Sequence, residues 1–192
     1  MKNFDIGNFT LGQDRAFIIA EVGSNHTGDL SLAKEHIDAV AESNADAVKF
    51  QSINLNKLYK NPSKSTKDLH AIIDMNEDWC ADLKDYSEKK GVLFFSSPTY
   101  IDAVSLLEKI DIQLFKLASA QVGTFPQIIK AVAQTGKPTI LSSGISDYSL
   151  LNEAINIFVE AGNENFAILH CNSMYPTPAE KVFLGRMETY KK

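Results

Sequence analysis

Cysteine is scarce in this chain. Cys80 and Cys171 are the only two, and their wide separation marks neither a disulfide framework nor a zinc-ligand pattern. They read as buried free thiols in a reducing cytoplasm. Long apolar runs are lacking too. No stretch reaches the length that spans a bilayer, and the opening Met1-Lys2-Asn3-Phe4-Asp5 has none of the apolar core of a signal peptide. There is no excess of basic charge: 19 Lys and Arg stand against 24 Asp and Glu, a net charge of -5. Such a chain has no general attraction for nucleic acid or an anionic membrane, so an anionic ligand must be held by a few placed cations. No G-x-G-x-x-G or P-loop is present, which weighs against the open nucleotide-binding folds. No H-x-x-H or H-E-x-x-H raises the expectation of a metal.

What is present is an ordinary globular composition, 192 residues of which 44% are hydrophobic. That suffices for one domain or a piece of a larger one. Six times the sequence repeats a short apolar run, a polar turn and a longer segment of helical period. The runs are residues 16–20, 45–51, 92–96, 114–117, 139–142 and 166–170. After the first, Asp29 or Ser31 can cap a helix with Ala33, Ile37, Val40 and Ala41 on one face. After the second comes a polar insertion, residues 54–65, too long for a bare connection and a candidate cover for a site. The next helix carries Trp79, Leu83 and Tyr86 and stops at Gly91. Val104, Leu107 and Ile110 mark the helix after the third run. Thr124 and Pro126 are expected to open the fourth helix, which ends at Gly136 before Pro138. Leu151, Ala154, Ile155 and Phe158 mark the fifth, ending at Gly162.

Near-continuous apolar strands alternating with amphipathic helices predict a parallel sheet covered on both faces. Spacing alone leaves an open doubly wound sheet or a closed (β/α)₈ TIM-type barrel. The polar residues favour the barrel. Glu21, Lys49, Gln51, Ser96, Ser97, Lys116, Ser119, Ser142, Ser143 and His170 all fall at the ends of the runs, and a barrel points every strand end at one mouth. An open sheet uses only those at its switch point. Six βα units are visible where a barrel has eight. The expectation is an incomplete barrel domain over residues 1–192, completed by something further.

Lys49 and Lys116 lie inside apolar runs, where a lysine is costly unless its charge meets a partner. Three readings stand: a salt bridge with Glu21 or Asp46, a cation pair gripping phosphate or carboxylate, and a Schiff-base nucleophile. Two lysines among many hydroxyls favour the anion clamp. Ser97, Ser119 and Ser142 are singly ordinary turn or cap serines, but together they make a hydrogen-bonding cradle. Glu21 is either a core carboxylate paired to lysine or a general acid or base. His26 and His170 are open between structure and function. Tyr175 precedes Pro176-Thr177-Pro178, which should hold its ring in place, either lining a sugar pocket or closing a loop.

These residues fall in recognisable motifs. Ile19-Ala20-Glu21-Val22-Gly23-Ser24-Asn25-His26-Thr27-Gly28-Asp29-Leu30 resembles the opening motif of the sialic acid synthase family. So do Ala45-Asp46-Ala47-Val48-Lys49-Phe50-Gln51, Phe95-Ser96-Ser97-Pro98, Phe115-Lys116-Leu117-Ala118-Ser119, Gly136-Lys137-Pro138 with Ile140-Leu141-Ser142-Ser143-Gly144, and His170-Cys171 with Tyr175-Pro176-Thr177-Pro178. The resemblance implies condensation of phosphoenolpyruvate with the open-chain aldehyde of an N-acetylated amino sugar, giving a nine-carbon 2-keto acid and phosphate. It implies a divalent metal, manganese or magnesium, and a homodimer when full length. By the same resemblance Lys49, Ser97, Lys116, Ser119 and Ser142 hold phosphoenolpyruvate, Glu21 is an active-site acid, and Gln51 and Tyr175 lie near the sugar. Gln121 stands where the family usually has glutamate, and Ser173 where it often has asparagine. The family's two metal-binding histidines, on strands seven and eight, and its C-terminal antifreeze-like domain have no counterpart in these residues. The metal ligands are therefore expected outside this chain.

Legionaminic or pseudaminic acid synthesis is the alternative within the group. A catalytically silent, phosphate-ester-binding barrel fragment and a Schiff-base aldolase are the alternatives from other classes.

Overall fold

The computed structural model describes residues 3–13 and 15–191; Met1, Lys2, Asp14 and Lys192 lie outside the described residues. The chain opens with an antiparallel hairpin, β1 (Phe4–Ile6) and β2 (Phe9–Leu11), with Phe4 opposite Leu11 and Ile6 opposite Phe9. Gly7 turns it with a φ of +57°. Phe4 and Ile6 are buried, and a Cβ on Gly7 would meet Leu93 at 3.4 Å. Leu93 opens a central strand, so the hairpin lies under the N-terminal ends of the strands.

Six parallel strands follow. They are β3 (Ile19–Gly23), β4 (Ala47–Ser52), β5 (Leu93–Pro98), β6 (Phe115–Leu117), β7 (Thr139–Ser142) and β8 (Phe166–Leu169). Two ladders form, β3-β4-β5 and β6-β7-β8. β5 and β6 lie side by side without ladder pairing. Neighbours in the sheets are thus neighbours in sequence, the order a barrel has; a doubly wound sheet reverses direction at its switch point. The barrel is not closed, in keeping with the incomplete set of units read from the sequence. β3 and β8 are each paired on one side only, and Leu169 on β8 is 41% exposed.

Helices cover the strands: α1 (Leu30–Glu42), α4 (Trp79–Lys89), α5 (Ile101–Lys109), α7 (Pro126–Gln134) and α8 (Tyr148–Glu160), with a last short helix α9 (Arg186–Tyr190). Each buries the stripe its spacing dictates, as with Ala33, Ile37 and Val40 of α1 or Leu151, Ala154 and Phe158 of α8. Asp29 caps α1, its carboxylate accepting from Ser31 N at 2.7 Å and Leu32 N at 3.3 Å. Asp29→Ala is expected to lower stability by about 1 kcal/mol, read as a lower denaturant midpoint. An unchanged midpoint would mean that packing alone sets the helix.

As its length implied, the insertion is not a bare connection: it holds α2 (Leu55–Leu58) and runs into α3 (Lys64–Ile73). Two expectations need correction. The first strand begins at Ile19, not residue 16, because Asp46 takes the Ile18 N–H at 2.7 Å and ties down the lead-in. Thr124 does not open a helix; it ends α6 (Ser119–Thr124), its hydroxyl donating to Ala120 O at 2.7 Å, and Pro126 alone starts α7.

Candidate active site

Parallel register decides which side chains meet, since residues opposite one another project to the same face. Glu21 of β3 is opposite Lys49 of β4, and Lys49 is opposite Phe95 of β5; one pleat further, Gln51 is opposite Ser97. The Glu21 carboxylate accordingly sits 2.7 Å from Lys49 Nζ. The lysine side chain is 2% exposed and the glutamate 52%. Burial holds the Lys49 pKa below its ordinary value; Glu21 works against this and the neighbouring Lys116 charge works with it. The salt bridge to Glu21 is therefore real, whereas Asp46 is engaged elsewhere, by Arg15 at 2.8 and 2.5 Å beneath the strands.

Lys116 is different. On β6 it faces Ile140 of β7, and its Nζ donates to Ser142 Oγ at 2.9 Å. Among the described residues it has no carboxylate at ion-pair distance. Burial lowers its pKa, partly offset by Cys171 and Glu21. The two lysines are thus close enough to feel one another, but only Lys49 is neutralised. Of the two strand lysines, Lys116 is the one without an ion-pair partner among the described residues.

Ser119 opens α6, and its Oγ accepts from Gly144 N at 3.0 Å. A Cβ on Gly144 would fall 2.6 Å from Ser119 Oγ and 2.8 Å from Ser173 Oγ, so these two hydroxyls converge beside the end of β7. Ser97 is fully buried, and its Oγ has no partner among the described residues. Gln121 Oε1 is likewise buried and unpartnered. Gln121 lines a separate cavity of about 520 Å³ with Thr99, Tyr100, Lys57, Asp102 and Phe125. The Lys57–Asp102 ion pair ties α2 to α5 at that cavity. Two strand-end serines serve structure. Ser96 bonds Ser52 at 2.9 Å, and Ser143 donates to Leu169 O and accepts from Tyr190, both at 3.1 Å.

Tyr175 does not join the site. Its ring is 94% exposed: the prolines fix the backbone there, and no element of the described chain covers the side chain. His26 is buried, its Nδ1 accepting from Gly28 N at 3.1 Å and its ring edge-on to Trp79. Burial lowers its pKa. His170 Nε2 donates to Val182 O at 2.6 Å, leaving a buried, unpartnered Nδ1. With His26 Nε2 and Ser146 Oγ, the buried side-chain atoms that lack partners among the described residues lie at or just beyond the C-terminal ends of strands. Buried polar groups are normally satisfied, which makes this end the candidate face for a polar ligand. Sequence reasoning missed Gly144 and Arg15; a glycine directly after Ser142-Ser143 was the available signal for the first.

The comparisons with known proteins agree. A model described as the NeuB family matches residues 36–192. The N,N'-diacetyllegionaminic acid synthase of Campylobacter jejuni is 34% identical over 92% of this chain and 57% of its own length. The human N-acetylneuraminate-9-phosphate synthase is 32% identical over 97% of this chain and 55% of its own. A crystal structure of the N-acetylneuraminic acid (sialic acid) synthetase of Leptospira borgpetersenii, in complex with citrate, superposes with a TM-score of 0.91 at 33% identity, covering 99% of this chain and 66% of that one. The chain spans about half the length of the curated relatives it matches. From the family match and the relatives together, the chain belongs to the NeuB family, the sialic acid synthase group read from its motifs.

Proposed function

We propose that the protein condenses phosphoenolpyruvate with an N-acetylated amino sugar aldehyde to give a nine-carbon 2-keto sugar acid and phosphate. The observation that carries this reading is Lys116, a partly buried cation without a carboxylate at ion-pair distance among the described residues, bonded to Ser142, two residues from Gly144, where the Ser119 and Ser173 hydroxyls converge. A dianionic ester with a carboxylate suits such a site. C3 of phosphoenolpyruvate bonds to the aldehyde carbon, water adds at C2, and the tetrahedral intermediate expels phosphate. Lys116, Ser119 and Ser142 hold the anionic groups, with Ser97 in reach of the same mouth. Lys49 holds Glu21, which handles the proton of the sugar oxygen. Gln51, Gln121 and Ser173 contact the sugar. Relatives of the chain make N-acetylneuraminate 9-phosphate, legionaminic and pseudaminic acids by name, and the choice among such sugars is part of the proposal.

The family resemblance implies a divalent metal. Among the described residues no three of His, Cys, Asp and Glu converge to hold one, Glu21 is committed to Lys49, and His26 Nδ1 to Gly28. The residues present do not build that site, and no step is assigned to it. No described helix is long and apolar enough to cross a membrane; a cytoplasmic homodimer is proposed for the whole protein.

A second reading, a barrel that binds a phosphate ester without turnover, draws on Gln121, which can hydrogen-bond but cannot deliver a proton. One assay separates the two. Phosphate release is followed with phosphoenolpyruvate and, in turn, N-acetylmannosamine, its 6-phosphate and the diacetamido sugars, with manganese or magnesium. Sugar-dependent release is the expected result. Phosphoenolpyruvate binding without release under every condition would favour the silent barrel.

A further inference from the structure

Gly144 lies two residues beyond β7, and its backbone does not need a glycine: its φ is outside the left-handed region. Space needs one. A Cβ would stand 2.6 Å from Ser119 Oγ, 2.8 Å from Ser173 Oγ and 3.2 Å from Cys171 Cβ, closer than side chains tolerate. The same residue also sets a polarity. A backbone N–H can only donate, so Ser119 Oγ is the acceptor of the 3.0 Å bond from Gly144 N. The proton of that hydroxyl then has no acceptor among the described residues and is free for a ligand. Ser142 is in the same state, because the Lys116 ammonium, donating at 2.9 Å, can do nothing else. Lys116, Ser119 and Ser142 can therefore each turn a donor toward a ligand, a lining that suits phosphate or carboxylate oxygens.

We propose that Gly144 is a positioning residue of this anion site. Its N–H turns the Ser119 hydroxyl into a donor toward the bound anion, and its missing side chain keeps the Ser119 and Ser173 hydroxyls in place. The inference rests on the anion-binding reading above and extends it to a residue with no polar side chain.

The test is a double-mutant cycle read by calorimetry on the protein, Gly144→Ala, Ser119→Ala and the double variant, with phosphoenolpyruvate and inorganic phosphate as probes. Gly144→Ala should weaken phosphoenolpyruvate binding roughly tenfold or more, the worth of one hydrogen bond to a charged group. The same substitution made on Ser119→Ala should change affinity by less than about threefold, because the residue acts through that hydroxyl. The cycle is repeated on Ser173→Ala, which relieves the other close approach and covers the case in which Gly144→Ala alone fails to fold. Unchanged affinity in Gly144→Ala, or an equal loss with Ser119 already removed, overturns the proposal and leaves the anion site standing. If the unsubstituted protein binds neither probe, the functional reading fails and the inference fails with it.

Discussion

Lys116→Met is expected to weaken phosphoenolpyruvate binding on the order of a hundredfold, about 3 kcal/mol, while leaving the fold at least as stable as before. Methionine keeps the length and the apolar stem but removes the charge. The bound anion loses a charge-assisted donor in a partly desolvated site, where such a bond is worth about 1.5–3 kcal/mol, and Ser142 loses the partner that orients it. The folded chain, by contrast, gives up the cost of a half-buried cation that no carboxylate compensates. Calorimetry and a thermal melt check the two signs together. A structural salt bridge would give the opposite pattern, intact binding with a lowered melting temperature, and would remove the clamp from this site.

The second large effect is on stability. Glu21→Ala strips the partner from a lysine whose side chain is 2% exposed and should destabilise the fold by about 3 kcal/mol, the usual result of leaving a buried charge unpaired. Lys49→Met should cost much less, because the glutamate it frees is half exposed and water can solvate it. The pH dependence follows from the direction of the Lys49 shift. Its pKa is lowered in the folded state, and losing Glu21 lowers it further, so the unfolded chain binds more protons near that pKa and stability rises with pH. The deficit of Glu21→Ala should therefore be full at neutral pH, shrink as pH rises through the folded pKa, and vanish near the unfolded value of about 10.4. Denaturant midpoints measured from pH 7 to 10 would show it; a deficit that is flat or grows across that range would contradict the burial of the charge.

The strands were legible because each is a short apolar run ended by polar or turn residues; residues 139–142 form β7 with the bounds expected. Ile18 misled because it is apolar yet 52% exposed, its N–H taken by the Asp46 side chain rather than by a strand partner. Helix α3 was illegible for the converse reason: Leu69 and Ile72 are exposed and only His70 is buried, so the helix presents no apolar stripe to the core. The hairpin could have been read, since Gly7-Asn8 between Phe4-Asp5-Ile6 and Phe9-Thr10-Leu11 is a two-residue turn signal flanked by alternation. In the site, residue types announced the chemistry, but the choice between salt bridge and clamp required register. Nothing in a one-dimensional reading says that Lys49 faces Glu21 while Lys116 faces Ile140 and leans on Ser142.

The matching of strand order to chain order has a kinetic consequence. When each strand pairs with the next one along, nearly every loop that must close is a single βα unit long, and the entropy lost at each closure is small and much the same. Structure can grow outward from any early pair, one unit at a time, without waiting for distant segments to meet. The hairpin is the exception. Phe4 and Leu11 share a cavity with Phe166 of β8, so its docking joins the two extremes of the chain. Because long-range contacts pay their loop-closure entropy before they are rewarded, that docking is expected to come late in folding.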